Sequence, residues 1–207
     1  MTSHARTSKR NPSGNKATLV KATLDSIYED GIAETTVSKI IARAGLSRGM
    51  IHLHFGGKSQ LLAAAAEAYS DDYYAGLDRY LQQAGNEPQD IVVAVISADL
   101  SETLLNERSI KILHALRGAA ATDAAIARFS STRDEGLRNT LRSAFEEIAR
   151  TYEAESSSVL ARDATFGLLA LLEGMWVDYL ANSNEFSRDV AKHIACRFLK
   201  GLFPNHF

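Results

Sequence analysis

Apolar residues recur at the spacing of an α-helix along most of the chain. The first such stretch places apolar side chains at positions i, i+4, i+7 and i+8, namely Val20, Leu24, Ile27 and Tyr28. Gly31 follows, where a glycine commonly ends a helix. The alternation of apolar and polar residues that is typical of a strand is nearly absent. The pattern therefore predicts an all-α chain.

Capping residues and glycines divide the next part of the chain into short helices. Thr36 is suited to begin a helix that runs through Ala44, and Gly45 ends it. Ser47 is a second N-cap, before the short helical segment RGMIHLHF. Further helices are predicted over about 59–81, 88–104, 107–119, 123–153, 159–180 and 186–202. The run at 155–158 is the one that is typical of a linker.

The two short helices on either side of Gly45 have the arrangement of a helix-turn-helix, in which the second helix enters the major groove of DNA. Ile40 and Ala44 on the first helix and Ile51 on the second are expected to hold the pair together, with Leu46 filling the turn. The net charge of −2 conceals an asymmetry, because residues 1–62 hold nine Lys and Arg against four Asp and Glu, a net charge of +5, whereas the remainder carries −7. A basic N-terminal part is typical of a domain that binds a polyanion, although the asymmetry is also compatible with a chance distribution of surface charge.

The run TTVSKIIARAGLSRGMIHLHFGGKSQLL, Thr35 to Leu62, resembles the signature of the TetR family of transcriptional regulators. The resemblance implies that residues 1–62 form a domain that binds double-stranded DNA at a palindromic operator. It implies a set of DNA contacts in and beside the second short helix: Thr36, Ser47, Arg48, Gly49, Met50, His52, His54 and Lys58. The chain departs from the family pattern at Ile41, where a small alanine is usual, and at His52, where tyrosine is common.

Arg48 is the residue that we expect to read bases. It lies in the first turn of the second short helix, where a guanidinium can donate two hydrogen bonds to O6 and N7 of guanine. Thr36 and Ser47 are suited to phosphate. The alternative is that Arg48 is a solvated arginine at a helix end. His52 and His54 are not predicted to bind a metal, because they point apart on a helix and no third ligand lies nearby.

The segment FGLLALLEGMWVDYL, Phe166 to Leu180, and the helix after it resemble the closing helices of BetI-like repressors, which respond to choline or its relatives. Apolar residues cover nearly the whole circumference of this segment. One face fills the core of its own subunit, so the other needs a partner. We therefore expect residues 63–207 to form a regulatory domain that dimerises as a four-helix bundle.

Two carboxylates fall within apolar helix faces. Asp99 shares a face with Val95 and Ile96, and Glu173 lies between Leu169 and Trp176. Buried carboxylates need a partner, which is either an internal base (Arg117, His114 or Arg133), water or a ligand. With the aromatic residues of the domain they predict a pocket for a cationic effector such as a quaternary ammonium compound. The predicted ligand contacts are Asp99, Phe129, Glu173, Trp176 and Tyr73, and the alternative is that the rings are simply core.

Other classes of function find little support. The one cysteine, Cys196, cannot form an internal disulfide, and the N-terminus lacks the apolar segment of a signal peptide, so a cytoplasmic location is expected. No stretch of about 20 uninterrupted apolar residues predicts a membrane span. No cofactor motif, metal cluster or nucleophile with an adjacent base is evident, so an enzyme is not expected. The alternative to a ligand-responsive repressor is a regulator that senses no small molecule and acts through a protein partner or as an activator.

Overall fold

The structure is a computed structural model. It describes the backbone of residues 12–150, 152 and 154–207 and the side chains of residues 13–128, 135–150, 152 and 157–207. The predicted all-α class is confirmed. Over the described residues the chain forms nine helices: α1 (Pro12–Asp30), α2 (Val37–Ala44), α3 (Arg48–Phe55), α4 (Lys58–Leu81), α5 (Pro88–Asp99), α6 (Glu107–Ala120), α7 (Ala124–Ala149), α8 (Ala154–Asn182) and α9 (Arg188–Leu202).

The chain divides into two compact units, Met1–Ala65 and Ala66–Phe207, which we call the N-terminal and C-terminal units. The core of the N-terminal unit consists of Leu19, Ala22, Ile40, Ile51 and Leu61. Four helices contribute to it, since the first residues of α4 belong to this unit. The predicted packing of α2 on α3 through Ile40 and Ile51 is confirmed, with both side chains almost fully buried.

The caps of α2 follow the prediction, whereas the predicted cap of α3 does so only in position. The Thr36 hydroxyl accepts a hydrogen bond from the Lys39 amide, which caps α2. Gly45 ends α2 with a φ of 64°, a left-handed conformation that glycine adopts without steric cost. Ser47 precedes α3 as predicted, but its side chain makes no capping hydrogen bond. The Ser47 side chain is exposed instead.

The C-terminal unit is built around α8, which contributes Leu168, Leu172 and Trp176 to a core shared with α4, α5, α6, α7 and α9. The predicted continuation of α5 to residue 104 is wrong, since the helix ends at Asp99. The hydroxyl of Ser101 donates to the carbonyl of Ala98 and accepts from the amide of Leu104, which stabilises a turn in place of further helix.

The predicted linker at residues 155–158 is also wrong, because these residues belong to α8. Within the described chain, Ser157–Asn182 is long and apolar enough to pass a length-and-composition test for a membrane span, contrary to the expectation from sequence. A core helix of a globular domain passes the same test, and α8 supplies fully buried core residues such as Ala164 and Leu168.

Candidate functional site

The exposed face of α3 is formed by four residues. Ile51 is buried and anchors the helix, whereas Arg48, Gly49, His52 and Leu53 are exposed. The guanidinium of Arg48 donates to the Ser38 hydroxyl at 3.4 Å, a long hydrogen bond. Arg48 is therefore lightly held on this surface and retains most of its donors for another partner.

The other predicted contact residues differ in accessibility. Thr36 and Ser47 are exposed, and Met50 and Lys58 are partly buried. The ring of His52 lies with Nδ1 3.1 Å from the carbonyl oxygen of Gly56. His54 is partly buried, and its Nε2 is buried without a hydrogen-bond partner among the described residues. In this conformation Nε2 of His54 is turned away from any exposed surface.

All four acidic side chains of the N-terminal unit form ion pairs within it. Lys21 pairs with Asp25 at 2.7 Å. Lys39 lies 3.3 Å from Asp30 and 4.0 Å from Glu34. Arg43 pairs with the remaining acid, Glu29, and also with Asp30.

Arg43 lies 2.6 Å from Glu29 and 3.4 Å from Asp30, and it also donates to Ser26. The hydrogen bond with Glu29 is the main cause that raises the pKa of the Arg43 guanidinium above its ordinary value. Arg43 thus connects α2 to α1 and is engaged by acids of its own unit. Glu29 and Asp30 are thus paired with basic residues of α2 where α1 meets α2.

Three described cations of the N-terminal unit remain without an ion-pair partner among the described residues. They are Lys16, Arg48 and Lys58. Lys16 lies over the Phe55 ring, 5.7 Å from its centroid, at the C-terminal end of α3. The uncompensated positive charge of the unit therefore includes groups on α3, beside its end and at the start of α4. This distribution favours a phosphate partner for the α3 side of the unit.

Leu53 is a surface residue that the sequence interpretation did not include. Its side chain is 68% exposed, although leucine is usually buried. The signal that would have found it is its position four residues after Gly49, on the side of α3 opposite to the buried Ile51 face. An exposed leucine between polar residues gives this face one apolar contact point.

The C-terminal unit contains a cavity of about 390 Å³. Trp176 and five further apolar residues line it together with two carboxylates and two arginines: Leu137, Phe166, Leu169, Ala170 and Leu172, with Asp99, Glu173, Arg117 and Arg138. The volume lies within the range of small-molecule sites, about 300–1,000 Å³. Three of the predicted ligand contacts, Asp99, Glu173 and Trp176, thus line one cavity.

Asp99 is a buried carboxylate whose oxygens both accept hydrogen bonds. Its side chain is only 2% exposed. Oδ1 accepts from the Tyr73 hydroxyl at 2.6 Å, and Oδ2 accepts from the Trp176 indole N–H at 2.8 Å. The two donors are neutral, so neither is one of the three bases considered as internal partners from sequence. The three residues join α4, α5 and α8 at the wall of the cavity.

Glu173 has a different environment from the predicted one. Its side chain is 42% exposed, so it does not share the burial of Asp99. It forms an ion pair with Arg117, which was one of the predicted internal partners. The helical spacing places Glu173 near Trp176, but it lies at the edge of the apolar face rather than within it.

Most of the aromatic rings of the unit pack in the core, which is the alternative that the sequence left open. Tyr73 is buried and does not line the cavity, but its hydroxyl donates to Asp99 and its ring contacts Trp176 at a centroid distance of 6.4 Å. Tyr69, Tyr74, Tyr80 and Tyr152 pack against the core, and the side chain of Phe129 lies outside the described residues. The described rings that line the cavity are Trp176 and Phe166.

Exposed apolar side chains are concentrated on the last two helices. Among the described residues, eight large apolar side chains are exposed, and six of them belong to α8 or α9. These six are Val159, Phe166, Val177, Leu180, Val190 and Ile194. Exposed apolar residues that cluster on adjacent helices are typical of an interaction surface.

Comparison with protein families matches most of the chain. Residues 19–65 match the profile described as bacterial regulatory proteins of the tetR family. Residues 88–204 match the profile described as BetI-type transcriptional repressor, C-terminal. The second match alone spans more than half of the chain.

Individual relatives agree with the family matches. The chain is 26% identical over 181 residues to the HTH-type transcriptional regulator BetI of Stenotrophomonas maltophilia, covering 87% of this chain and 89% of that protein. It is 29% identical over 162 residues to the protein of the same name from Burkholderia mallei, covering 78% and 80%. A solved structure assigned as a transcriptional regulator from Pseudomonas aeruginosa PAO1 has a TM-score of 0.85 at 27% identity, over 98% of this chain and 97% of that one.

The bonds to Asp99 generate a stability prediction. Tyr73→Phe removes a hydrogen bond to a buried carboxylate, so it should lower the free energy of unfolding by about 1.5–3 kcal/mol. Tyr69→Phe is the matched control, because the Tyr69 hydroxyl donates to the neutral carbonyl of Ser109. Its cost should be about 0.5–1.5 kcal/mol. The measurement is urea unfolding followed by Trp176 fluorescence, and equal losses for the two variants would contradict the prediction.

Proposed function

The chain belongs to the TetR family of bacterial regulatory proteins and carries a BetI-type repressor domain, and from this premise we propose that it is a homodimeric repressor that a small molecule releases from DNA. It is a transcriptional regulator with a DNA-binding helix-turn-helix, not an enzyme. The proposal places it in the cytoplasm, on double-stranded DNA with a palindromic operator. The observation that carries it is the uncompensated positive charge around α3 in the N-terminal unit.

The proposed DNA-binding surface combines base contacts from α3 with phosphate contacts beside it. Arg48 is exposed, has no carboxylate partner among the described residues and lies in the first turn of α3. Its guanidinium is the group that we assign to guanine. The phosphate contacts are assigned to Thr36, Ser47, His52 and Lys58, with Gly49 allowing close approach of the backbone. Met50 and His54 are the less accessible members of the predicted set.

Leu53 extends this surface with an apolar contact. Its exposed side chain shares the outer face of α3 with Arg48 and His52. In the major groove the apolar feature of the base pairs is the C5 methyl group of thymine. We assign Leu53 to such a methyl group, so that α3 reads one guanine and one thymine by different chemistry.

The proposed dimer forms through the exposed apolar residues of α8 and α9. Val190 and Ile194 are one helical turn apart on α9, and Val177 and Leu180 are three residues apart on α8. The occupant that we assign to this surface is the same surface of a second copy, because a twofold interface brings identical apolar patches together. Two copies then present two copies of α3, which calls for a palindromic operator.

The effector site is assigned to the cavity of the C-terminal unit. Its lining includes Asp99, Glu173 and Trp176, of which Trp176 contacts the effector directly in this proposal, and Tyr73 positions Asp99. In this proposal the helix α4 links effector binding to DNA binding, since Tyr73 lies on α4 and the same helix contributes Leu61 to the core of the N-terminal unit. An effector lowers DNA affinity only if it binds better to the conformation that does not bind DNA.

The DNA-binding surface is tested with two substitutions on a duplex selected from a random pool by the wild-type protein. Arg48→Ala should cost about 1–3 kcal/mol of binding free energy and relax the preference at one base pair. Lys58→Ala should weaken binding to all sequences alike and lower the slope of log affinity against log salt by about 1. Fluorescence anisotropy at several salt concentrations measures both effects.

Lys111→Ala is the control, because Lys111 is an exposed lysine of the C-terminal unit that pairs with Glu107. It should leave affinity and salt dependence unchanged. Unchanged binding of both the Arg48 and Lys58 variants would refute the assignment of this surface.

Leu53→Ala tests the apolar contact of α3. It should weaken binding to the selected duplex, which has thymine at the contacted position, but not to the same duplex with deoxyuridine there, since that base lacks the methyl group.

The dimer is tested by adding charge to its proposed interface. The double variant V190E/I194E places carboxylates in the apolar surface of α9, so it should sediment at the 22.6 kDa subunit mass while the wild type sediments at twice that mass. Val93→Glu is the control, because Val93 is exposed on α5, outside the proposed interface. A monomeric wild type at micromolar concentration would refute the homodimer, and a double variant that stays dimeric would show that the interface is elsewhere.

A further inference from the structure

We propose that the cavity of the C-terminal unit binds an organic anion, a carboxylate with an apolar body, and that Arg138 holds the carboxylate. This inference deepens the proposed function and rests on it, because it names the chemical class of the effector. It replaces the quaternary ammonium effector that the sequence interpretation favoured.

Both carboxylates of the cavity lining are already engaged. Each oxygen of Asp99 accepts a hydrogen bond, one from Tyr73 and one from Trp176. Glu173 pairs with the guanidinium of Arg117. An incoming cation would have to share these groups with donors that the protein itself provides. The cavity therefore offers a cation no uncommitted carboxylate among the described residues.

The arginines of the lining are not balanced in the same way. Arg117 is engaged with Glu173, but Arg138 has no ion pair or hydrogen bond among the described residues. The next arginine on α7, Arg142, differs from Arg138 in that it pairs with Glu146 at 2.8 Å. One guanidinium of the lining is thus available, and it presents the planar set of donors that matches a carboxylate.

The remaining lining suits an apolar body of moderate size. Leu137, Leu169 and Leu172 provide aliphatic surface, and Trp176 and Phe166 provide rings. The indole N–H of Trp176 is directed at Asp99, so the polar edge of this ring is committed to the protein. Two rings do not form the aromatic cage that holds a quaternary ammonium group, and the guanidinium of Arg138 would repel such a cation. An anion with an apolar chain would pair with Arg138 and pack against the apolar residues of the lining.

The test compares three probes that share one chain and differ only in the head group: octanoate, octanamide and octyltrimethylammonium. Binding to the full-length protein is measured by calorimetry and by Trp176 fluorescence, and release of DNA by anisotropy. Octanoate should bind about fivefold more tightly than octanamide, since Arg138 is exposed and solvent screens a charge-assisted pair there. Octyltrimethylammonium should bind more weakly than either.

Two variants of α7 assign the preference to one residue. Arg138→Gln should remove the advantage of octanoate over octanamide and leave the affinity for octanamide unchanged. Arg142→Gln is the matched control on the same helix, outside the lining, and should keep the wild-type preference. Tighter binding of octyltrimethylammonium, no binding of any probe, or a preference for octanoate that survives in Arg138→Gln would overturn the inference.

The anisotropy measurement separates this inference from the function on which it rests. If octanoate binds through Arg138 but DNA affinity does not change, the anion site stands and release by an effector of this site is refuted. If octyltrimethylammonium binds and releases DNA while octanoate does neither, the ligand-responsive repressor stands and the anion site is refuted.

Discussion

The carboxylate of Asp99 is the group whose burial constrains the C-terminal unit most strongly. Burying a carboxylate costs several kcal/mol unless donors satisfy it. Here the donors come from two other helices, Tyr73 on α4 and Trp176 on α8. Helices α4, α5 and α8 must therefore keep their relative positions for the charge to be tolerated. The same bonds fix the indole of Trp176 at the wall of the cavity.

The acidic side chains of the N-terminal unit are likewise engaged by partners within the protein. Its four acidic side chains are all paired with lysine or arginine, chiefly where α1 meets α2. The described cations left without such partners are Lys16, Arg48 and Lys58, which belong to α1, α3 and α4. In both units, ligand binding is thus assigned to cationic side chains that have no ion-pair partner among the described residues. Arg48 in one unit and Arg138 in the other are the clearest examples.

What the sequence predicted well depends on residues that are close along the chain. The turn at Gly45 and the cap at Thr36 are local signals, and the pair Ile40 and Ile51 follows from helical spacing. The partners of Asp99 were not predictable in this way, because they lie 26 and 77 residues away. The neutral donors of Tyr73 and Trp176 satisfied a charge for which sequence reasoning sought a base. The serine run at 156–158 is typical of a linker by composition, but these residues lie in α8.

In the proposed mechanism, α4 couples DNA binding to the hydrogen-bonded cluster of Asp99, Tyr73 and Trp176, since this helix carries both Leu61 and Tyr73. Coupling between two sites is reciprocal, so DNA must then perturb the cavity as the effector perturbs DNA binding. Trp176 is the single tryptophan of the chain and reports on the cluster directly. The decisive measurement is the emission of Trp176 during a titration with the selected operator duplex, with no effector present. If the two sites are coupled, the emission changes and saturates together with DNA anisotropy. Emission that stays constant while anisotropy shows full occupancy would contradict the coupling.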